Sequence, residues 1–172
     1  RDLHSFPTRR SSDLTNEDNR CDNAWQTIDA QLQRRNDLIP NLVNTVKGYT
    51  SHESKTLEAV TRARAAATEA STPEAKMEAS NTLTNTLKTL FAVTESYPEL
   101  KADASFQDLQ RNLTDTENKI VYARQSFNDC VLAYNNAIET FPGNVVAGVK
   151  FKVRQGFEVT DASARQTPQV QF

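Results

Sequence analysis

Residues Phe106 to Phe141 read FQDLQRNLTDTENKIVYARQSFNDCVLAYNNAIETF, and this stretch decides the fold. Apolar and small residues recur in it at alternating steps of three and four, the spacing of bundle and coiled-coil helices. At about 1.5 Å per residue such a helix is on the order of 50 Å long, and other helices must cover its apolar face. The positions on that face are Phe106, Leu109, Leu113, Thr116, Ile120, Ala123, Phe127, Cys130, Tyr134, Ala137 and Phe141.

A second long helix is predicted from about Asn19 to Gly48, the residue at which a helix of this pattern would end. Pro40 interrupts it, and a proline inside a helix removes one backbone hydrogen bond and bends the axis. The same alternation of three and four places on one face Cys21, Trp25, Ile28, Leu32, Arg35, Ile39, Leu42, Val46 and Tyr49.

Two shorter helices are predicted between the long ones. Thr50 and Glu53 have the spacing of a capping box, which predicts the start of a helix rich in alanine. Thr72 and Pro73 pair a capping hydroxyl with a proline at the first helical position and predict the next helix, which Pro98 ends.

Four helices joined by short connections predict an all-α protein, an antiparallel four-helix bundle with two long and two shorter helices. Ser105 is expected to cap the last helix. After Pro142 and Gly143 we expect a short amphipathic segment, and from Thr160 the chain has the composition of a polar tail.

Length and composition bound the class of protein. A chain of 172 residues suits one domain, and a net charge of -2 excludes a general attraction to nucleic acid. Two cysteines and two histidines are too few for a disulfide framework or an imidazole-rich metal site. No stretch reaches the roughly 20 apolar residues of a membrane-spanning helix.

The N-terminal stretch from His4 to Leu14 resembles the translation of a sequencing-adapter oligonucleotide. We therefore predict that residues 1–14 are artefactual or disordered, that the natural N-terminus is missing, and that the bundle occupies residues 19–157, followed by a disordered tail at 158–172. A genuine disordered Ser/Arg tail is the alternative for the first segment.

Two motifs stand out in the long helices, QRRNDLIPNLV at 33–43 and TENKI at 116–120. Together with further residues they resemble the LemA family of bacterial proteins, and the resemblance covers roughly Ala24 to Phe157. It implies an antiparallel helical bundle associated with the bacterial membrane through a single-pass or lipid anchor before Asn19, and no established enzymatic activity. The residues that carry it are QRRNDLIPNLV at 33–43, VKGY at 46–49, TENKI at 116–120, AR at 123–124, YN at 134–135, Ile138, and FP at 141–142.

The strongest polar candidates are Arg34, Arg35 and Asp37. Arg35 on the apolar face could reach Glu117 or Asp115 on the last helix and hold an acidic ligand or partner. The favoured interpretation is an ion pair that fixes the register of the helices, because charges near such a face are generally paired.

Metal and thiol chemistry find little support in the sequence. His52 precedes Glu53 and has no glutamate three residues before it, so the Glu-x-x-His unit of carboxylate-bridged bundles is missing. Cys21 and Cys130 fall at similar heights on the two long helices, which makes a disulfide feasible, although two reduced thiols are favoured.

Asn128, Asn135 and Asn136 are candidates for ligand contacts, although asparagine on a long helix is more often solvated or bonded to a neighbouring helix. An anchor before Asn19 would place the apolar and basic stretch 145–154 near the bilayer. The favoured alternative is that its apolar residues close the base of the bundle, namely Val145, Val149 and Phe151.

From these patterns we predict no catalytic, cofactor-binding or metal-binding residues. The predicted function is a non-enzymatic scaffold or protein-interaction module of the bacterial envelope, with a protein partner of unknown identity. The alternative is a ligand- or peptide-sensing bundle that uses the region of Pro40.

Overall fold

The computed structural model describes residues 6–140 and 154–157, and everything stated about the structure concerns these residues. They are all-helical apart from turns and short extended segments, with no strand in these two ranges, so the predicted all-α class is confirmed. The helices are α1 (Phe6–Lys47), α2 (Ser54–Glu69), α3 (Pro73–Thr94), α4 (Pro98–Ala102) and α5 (Ala104–Thr140).

The turn before α5 differs from the prediction. Pro98 was predicted to end the third helix, but α3 ends at Thr94 and Pro98 begins the short helix α4. A proline suits the first helical position, where its missing N–H is not needed. Asp103 rather than Ser105 caps α5, with its Oδ1 accepting a hydrogen bond from the Phe106 N–H at 3.0 Å.

The predicted capping box of α2 is wrong. The helix begins at Ser54, and Glu53 makes no capping bond because the Tyr97 hydroxyl donates to its Oε1 at 2.9 Å. The Thr50 hydroxyl accepts instead from the His52 N–H at 3.2 Å. The predicted start of α3 is confirmed, because the Thr72 hydroxyl accepts from the backbone N–H three residues on at 3.2 Å, ahead of a proline at the first position.

α1 contains Pro40 in its interior and ends at Lys47, directly before Gly48, as predicted. It begins at Phe6 rather than near Asn19, so residues 6–14 are helical, and the side chain of Leu14 is buried. The assignment of residues 1–14 to an adapter stays a prediction. Residues 1–5, 141–153 and 158–172 lie outside the described ranges, which leaves the predicted tail untested.

The chain divides into two compact units. The first contains the described residues up to Asp29 and those from Tyr122 to Phe157, and the second contains Ala30–Val121. α1 and α5 each contribute to both units, whereas α2, α3 and α4 belong to the second.

The core of the second unit is formed by apolar side chains from all five helices. α3 packs against α2, and Phe91 on α3 lies beside Phe106 on α5 with 5.9 Å between ring centroids. Tyr49, predicted on the apolar face, is 41% exposed because it follows the end of α1. The core residues are Ile39, Leu42, Val43, Val46, Leu57, Val60, Ala63, Leu83, Leu87, Leu90, Phe91, Leu100, Phe106 and Leu113.

Membrane-spanning character is not found in the helices described. Over residues 6–140, no helix combines the length with the apolar content that crossing a bilayer requires.

Candidate functional site

The core of the second unit contains a charged side chain, Arg35, of which only 1% is exposed. Its Nη1 donates to Oε1 of Glu117, whose side chain is also buried, and to the Thr84 hydroxyl at 2.8 Å. Its Nη2 donates to the hydroxyl and the carbonyl oxygen of Ser80 at 2.8 and 3.1 Å. The network joins α1, α3 and α5, and the predicted pairing of Arg35 with Glu117 is confirmed.

The chemistry of this network is that of a structural ion pair. The Thr84 hydroxyl donates to Oε1 of Glu117 at 3.0 Å, so one carboxylate oxygen receives bonds from two side chains. Two opposite charges that bond each other and neighbouring hydroxyls compensate for the loss of water around them. Because the two Nη atoms of Arg35 and Oε1 of Glu117 are already bonded within the protein, the network fixes the packing of three helices.

The other polar candidates on this face are exposed. Arg34 donates to Oδ2 of Asp115 at 3.0 Å, with both side chains about half accessible to water. Hydrogen bonds from Lys119 and then from Arg34 hold the pKa of the Asp115 carboxyl below its ordinary value. Asp37 is exposed. An exposed pair of this kind contributes little to stability, about 0–1 kcal/mol.

Both cysteines, Cys21 and Cys130, are free thiols in the first unit. Cys21 is completely buried, and burial raises the pKa of its thiol above the ordinary value. A buried, protonated thiol is a poor nucleophile. Among the residues that the structure describes, no cluster of His, Cys, Asp and Glu is arranged to hold a metal ion.

The most specific polar geometry lies in the first unit, where the short segment Arg154–Phe157 runs along α5. The side-chain amide of Asn128 accepts from the Phe157 N–H at 2.7 Å and donates to the Phe157 carbonyl oxygen at 2.8 Å. The amide of Asn135 does the same for Arg154, with both distances at 2.9 Å. Each asparagine thus binds both backbone groups of one residue, and we call this pair the asparagine clamps.

The spacing of the asparagine clamps matches an extended chain. Asn128 and Asn135 are two helical turns apart, a rise of about 10 Å. The three steps from Arg154 to Phe157 also span about 10 Å when the backbone is extended. The segment runs antiparallel to α5, because the later residue of the segment meets the earlier asparagine.

The side chain of Arg154 is held by α1 and α5. Its Nη2 donates to Oδ1 of Asp18 at 2.5 Å and of Asp22 at 2.7 Å, and its Nε donates to Asp18 at 3.0 Å. Its guanidinium carbon lies 5.6 Å from the ring centroid of Tyr134. Desolvation lowers the pKa of Arg154, but the hydrogen bonds to Asp22 and Asp18 outweigh it and raise the pKa above its ordinary value.

Phe157 completes an aromatic cluster at the other end of the segment. Its ring stacks on Phe127 with centroids 4.9 Å apart and tilts against Trp25 at 5.6 Å. Between the two anchored residues, Gly156 lies so close to Asn128 that an added Cβ would come within 2.9 Å of Oδ1, whereas Gln155 is exposed.

The structure brings some of the predicted candidates together and separates others. Asn128 and Asn135 bind the same segment, and Asn136 is exposed. Arg154, the last residue of the predicted interfacial stretch, pairs with carboxylates, while residues 145–153 lie outside the described ranges. Trp25 and Phe157 were not predicted as site residues, and their contact depends on the fold. The two-turn spacing of the two asparagines was a visible signal for a shared ligand.

A separate groove of about 670 Å³ lies in the second unit, beside the end of α1 and along α2. Pro40 is not among the residues that line it, so this groove lends no support to the predicted sensing site. The lining residues are Lys47, Thr50, Ser51, Ser54, Leu57, Glu58, Thr61, Arg62 and Ala65.

Comparison with known proteins gives three findings. The model of the LemA family matches residues 24–172. The protein LemA of Metamycoplasma hominis is 24% identical over 139 residues, which cover 80% of this chain and 64% of that protein. The magnetosome protein MamQ of Magnetospirillum gryphiswaldense is 32% identical over 63 residues, 37% of this chain and 23% of that protein. The chain thus spans less than two thirds of the length of either relative.

Proposed function

The chain belongs to the LemA family, and from this membership we propose that it is a non-enzymatic, membrane-associated helical bundle that acts as a protein-interaction module of the bacterial envelope. The observation that carries the interaction role is the capture of Arg154–Phe157 by the asparagine clamps. We propose that the same surface of the first unit binds extended peptide segments.

Backbone capture suits a module of this kind. Two amides that each bind the N–H and the carbonyl oxygen of one residue supply four hydrogen bonds that depend on an extended backbone rather than on its side chains. Main-chain bonds supply affinity in the same way when a peptide adds to the edge of a sheet. Each bond contributes about 0.5–1.5 kcal/mol net, so side-chain anchors must supply the rest.

We further propose that the second unit is an antiparallel four-helix arrangement of the two long and two shorter helices, with α4 as a turn. Two contacts support opposite directions for α1 and α5. Arg35 meets Glu117, and Tyr49, farther along the chain, meets Asp103, which comes earlier than Glu117. Because Tyr49 lies just after the end of α1 and Asp103 directly precedes α5, the end of α1 lies beside the start of α5, while Arg35, earlier on α1, meets a later residue of α5.

An array of immobilised synthetic peptides tests the interaction role. The full chain with Arg154→Ala and Phe157→Ala, which removes both side-chain anchors of the segment, should retain a subset of peptides. The same chain with Asn128→Ala and Asn135→Ala added should lose them. Failure of the folded first variant to retain any peptide would contradict the role.

Membrane association is proposed from the family resemblance, with an N-terminal anchor as the tether. Expression of the natural gene with its own upstream sequence tests it. The product should sediment with membranes and resist extraction by high salt, since an apolar or lipid anchor does not depend on charge. Recovery in the soluble fraction would contradict this part of the proposal.

A further inference from the structure

Resting on the proposed function, we propose that the first unit selects extended peptides of the pattern arginine, any residue, glycine, aromatic residue. The chain's own Arg154–Phe157 has this pattern and is a self-ligand, which a partner protein carrying such a peptide displaces.

The first position requires arginine. The guanidinium of Arg154 presents Nε and Nη2 to Asp18 while Nη2 also reaches Asp22, and its central carbon lies over the ring of Tyr134. A lysine ammonium is a single point of charge and has no planar group to stack, so it cannot reproduce this arrangement. We expect lysine to be a poor substitute although it carries the same charge.

The second position is open and the third is closed. Gln155 is exposed, so the surface imposes no side chain there. At Gly156, a Cβ would lie 2.9 Å from Oδ1 of Asn128. Although a side-chain oxygen can often move away, this one accepts from the Phe157 N–H, so its displacement would break the clamp. Any residue with a Cβ is therefore excluded from the third position.

The fourth position requires a flat aromatic ring. Phe157 stacks on Phe127 at an interplanar angle of 23° and contacts Trp25 with its ring tilted at 48°. Aromatic pairs at such distances gain energy beyond the area that they bury. A leucine would fill part of the space but would lose the stacking.

The self-ligand makes binding by a partner competitive. The segment belongs to the same chain as the clamps, so it competes intramolecularly, at an effective concentration on the order of millimolar. A peptide in solution must replace it, so the apparent affinity of the unmodified chain is the affinity of the free surface multiplied by the fraction of molecules whose surface is free. We expect the unmodified chain to bind at least about tenfold more weakly than a chain whose own segment has lost its anchors.

The test uses the full chain with Arg154→Ala and Phe157→Ala, and a fluorescein-labelled peptide with the sequence of residues 150–160. Fluorescence anisotropy should report binding to this variant and at least about tenfold weaker binding to the unmodified chain. Peptides with Arg154→Lys, Gly156→Ala or Phe157→Leu should each bind about tenfold more weakly or worse. The matched control peptide, Gln155→Ala, should bind within about twofold.

The outcomes separate this inference from the proposed function. If all five peptides bind equally well, the selectivity is wrong while peptide binding stands. If the folded variant binds none of them and also retains nothing on the peptide array, both are wrong. If equilibrium sedimentation of the variant mixed with unmodified chain reveals a stable complex of two copies, the occupant is a second copy of this chain and the partner proposal is overturned.

A second measurement covers the case in which the double variant does not fold. A specific protease site placed within residues 141–153 of the otherwise unmodified chain allows the tether to be cut after folding. The cut fragment should then exchange with the labelled peptide of residues 150–160 and exchange much less with the Gly156→Ala peptide. If the cut fragment does not exchange within a day after dilution, while the unit remains folded, the segment is a fixed part of the core.

Discussion

Arg35 on α1 and Glu117 on α5 form an ion pair in which the two residues are only 1% and 3% exposed. Both groups also bond hydroxyls of α3, so three helices meet at one charged network. Such a pair is costly to break from one side, because the remaining charge stays buried without its counter-charge.

Glu117→Gln should therefore lower the free energy of unfolding by about 3–5 kcal/mol. The double change Arg35→Met with Glu117→Leu should recover much of that loss, because it leaves no buried charge. Urea unfolding followed by circular dichroism measures both. Arg34→Met with Asp115→Leu, which removes the exposed neighbouring pair, is the matched control and should change stability by no more than about 1 kcal/mol. A loss for Glu117→Gln no larger than that of the exposed double variant would contradict the structural role of the network.

Asn128→Ala should expose the Phe157 amide to exchange with solvent, and Asn135→Ala should do the same for the Arg154 amide. Each change removes the bond that protects the matching amide, worth about 0.5–1.5 kcal/mol, together with the bond to the carbonyl oxygen of the same residue. The exchange rate at this amide should therefore rise at least about threefold to tenfold. Hydrogen exchange followed by NMR resolves the two amides. Asn112→Ala, at an exposed position on the same helix, should leave both rates unchanged. A uniform rise at all amides would instead mean that the variants are globally destabilised.

Asp103 accepts a hydrogen bond from the Tyr49 hydroxyl at 2.5 Å, and this bond, followed by the one from the Phe106 N–H, lowers the pKa of the Asp103 carboxyl. A carboxyl with a lowered folded pKa stabilises the fold above its unfolded pKa and loses this effect as pH falls through the folded pKa. The same contact raises the pKa of Tyr49. That contribution is present below the unfolded pKa of the phenol and is lost as pH rises through its folded pKa.

The stability difference between the unmodified chain and Tyr49→Phe should therefore be largest at pH values above the unfolded pKa of the carboxyl and below the unfolded pKa of the phenol. It should shrink at lower pH, where Asp103 is protonated, and at higher pH, where Tyr49 is ionised. Urea unfolding across a pH series measures the difference. NMR titration of the Asp103 carboxyl should show its pKa moving up toward the ordinary value in Tyr49→Phe. An unchanged carboxyl pKa would mean that the hydroxyl is not the main cause of the shift.

Cys21 should react with iodoacetamide more slowly than Cys130 in the folded protein at neutral pH. Cys21 is buried and its thiol pKa is raised by burial, whereas Cys130 is half-buried. Because the thiolate is the reactive form, both limited access and the raised pKa slow Cys21. Mass spectrometry of the digested protein measures each rate, and in urea the two should become similar. Equal rates in the folded state would contradict the burial of Cys21.

The helical class could be predicted from the sequence because long helices repeat their pattern many times. The alternation from Phe106 to Phe141 predicted α5, and Pro40 and Gly48 were placed correctly in and after α1. Short features were less accessible. α4 has only five residues, too few for a period to be visible, so a connection was expected in its place.

Where a local hydrogen bond competes with a bond to a residue distant in sequence, the spacing of residues alone does not predict which bond forms. Thr50 and Glu53 satisfy the pattern of a capping box, yet Glu53 bonds the hydroxyl of Tyr97, which is distant in sequence. The site in the first unit was not predicted because it too depends on contacts between residues distant in sequence. Arg154 pairs with Asp18 across almost the whole chain, and no periodicity connects two such positions. The asparagines were recognised as candidates, but their ligand is backbone, which has no sequence signature.

The two asparagine clamps also divide the bound segment into parts that can be released in order. Phe157 is held by Asn128 and Arg154 by Asn135, with exposed Gln155 between them. In the proposed exchange, an incoming peptide binds at one clamp while the chain's own segment still occupies the other. Replacement of the segment in two steps breaks only part of its contacts at any moment, as in strand exchange between nucleic acids. A tightly held segment can in this way turn over faster than its affinity alone would allow.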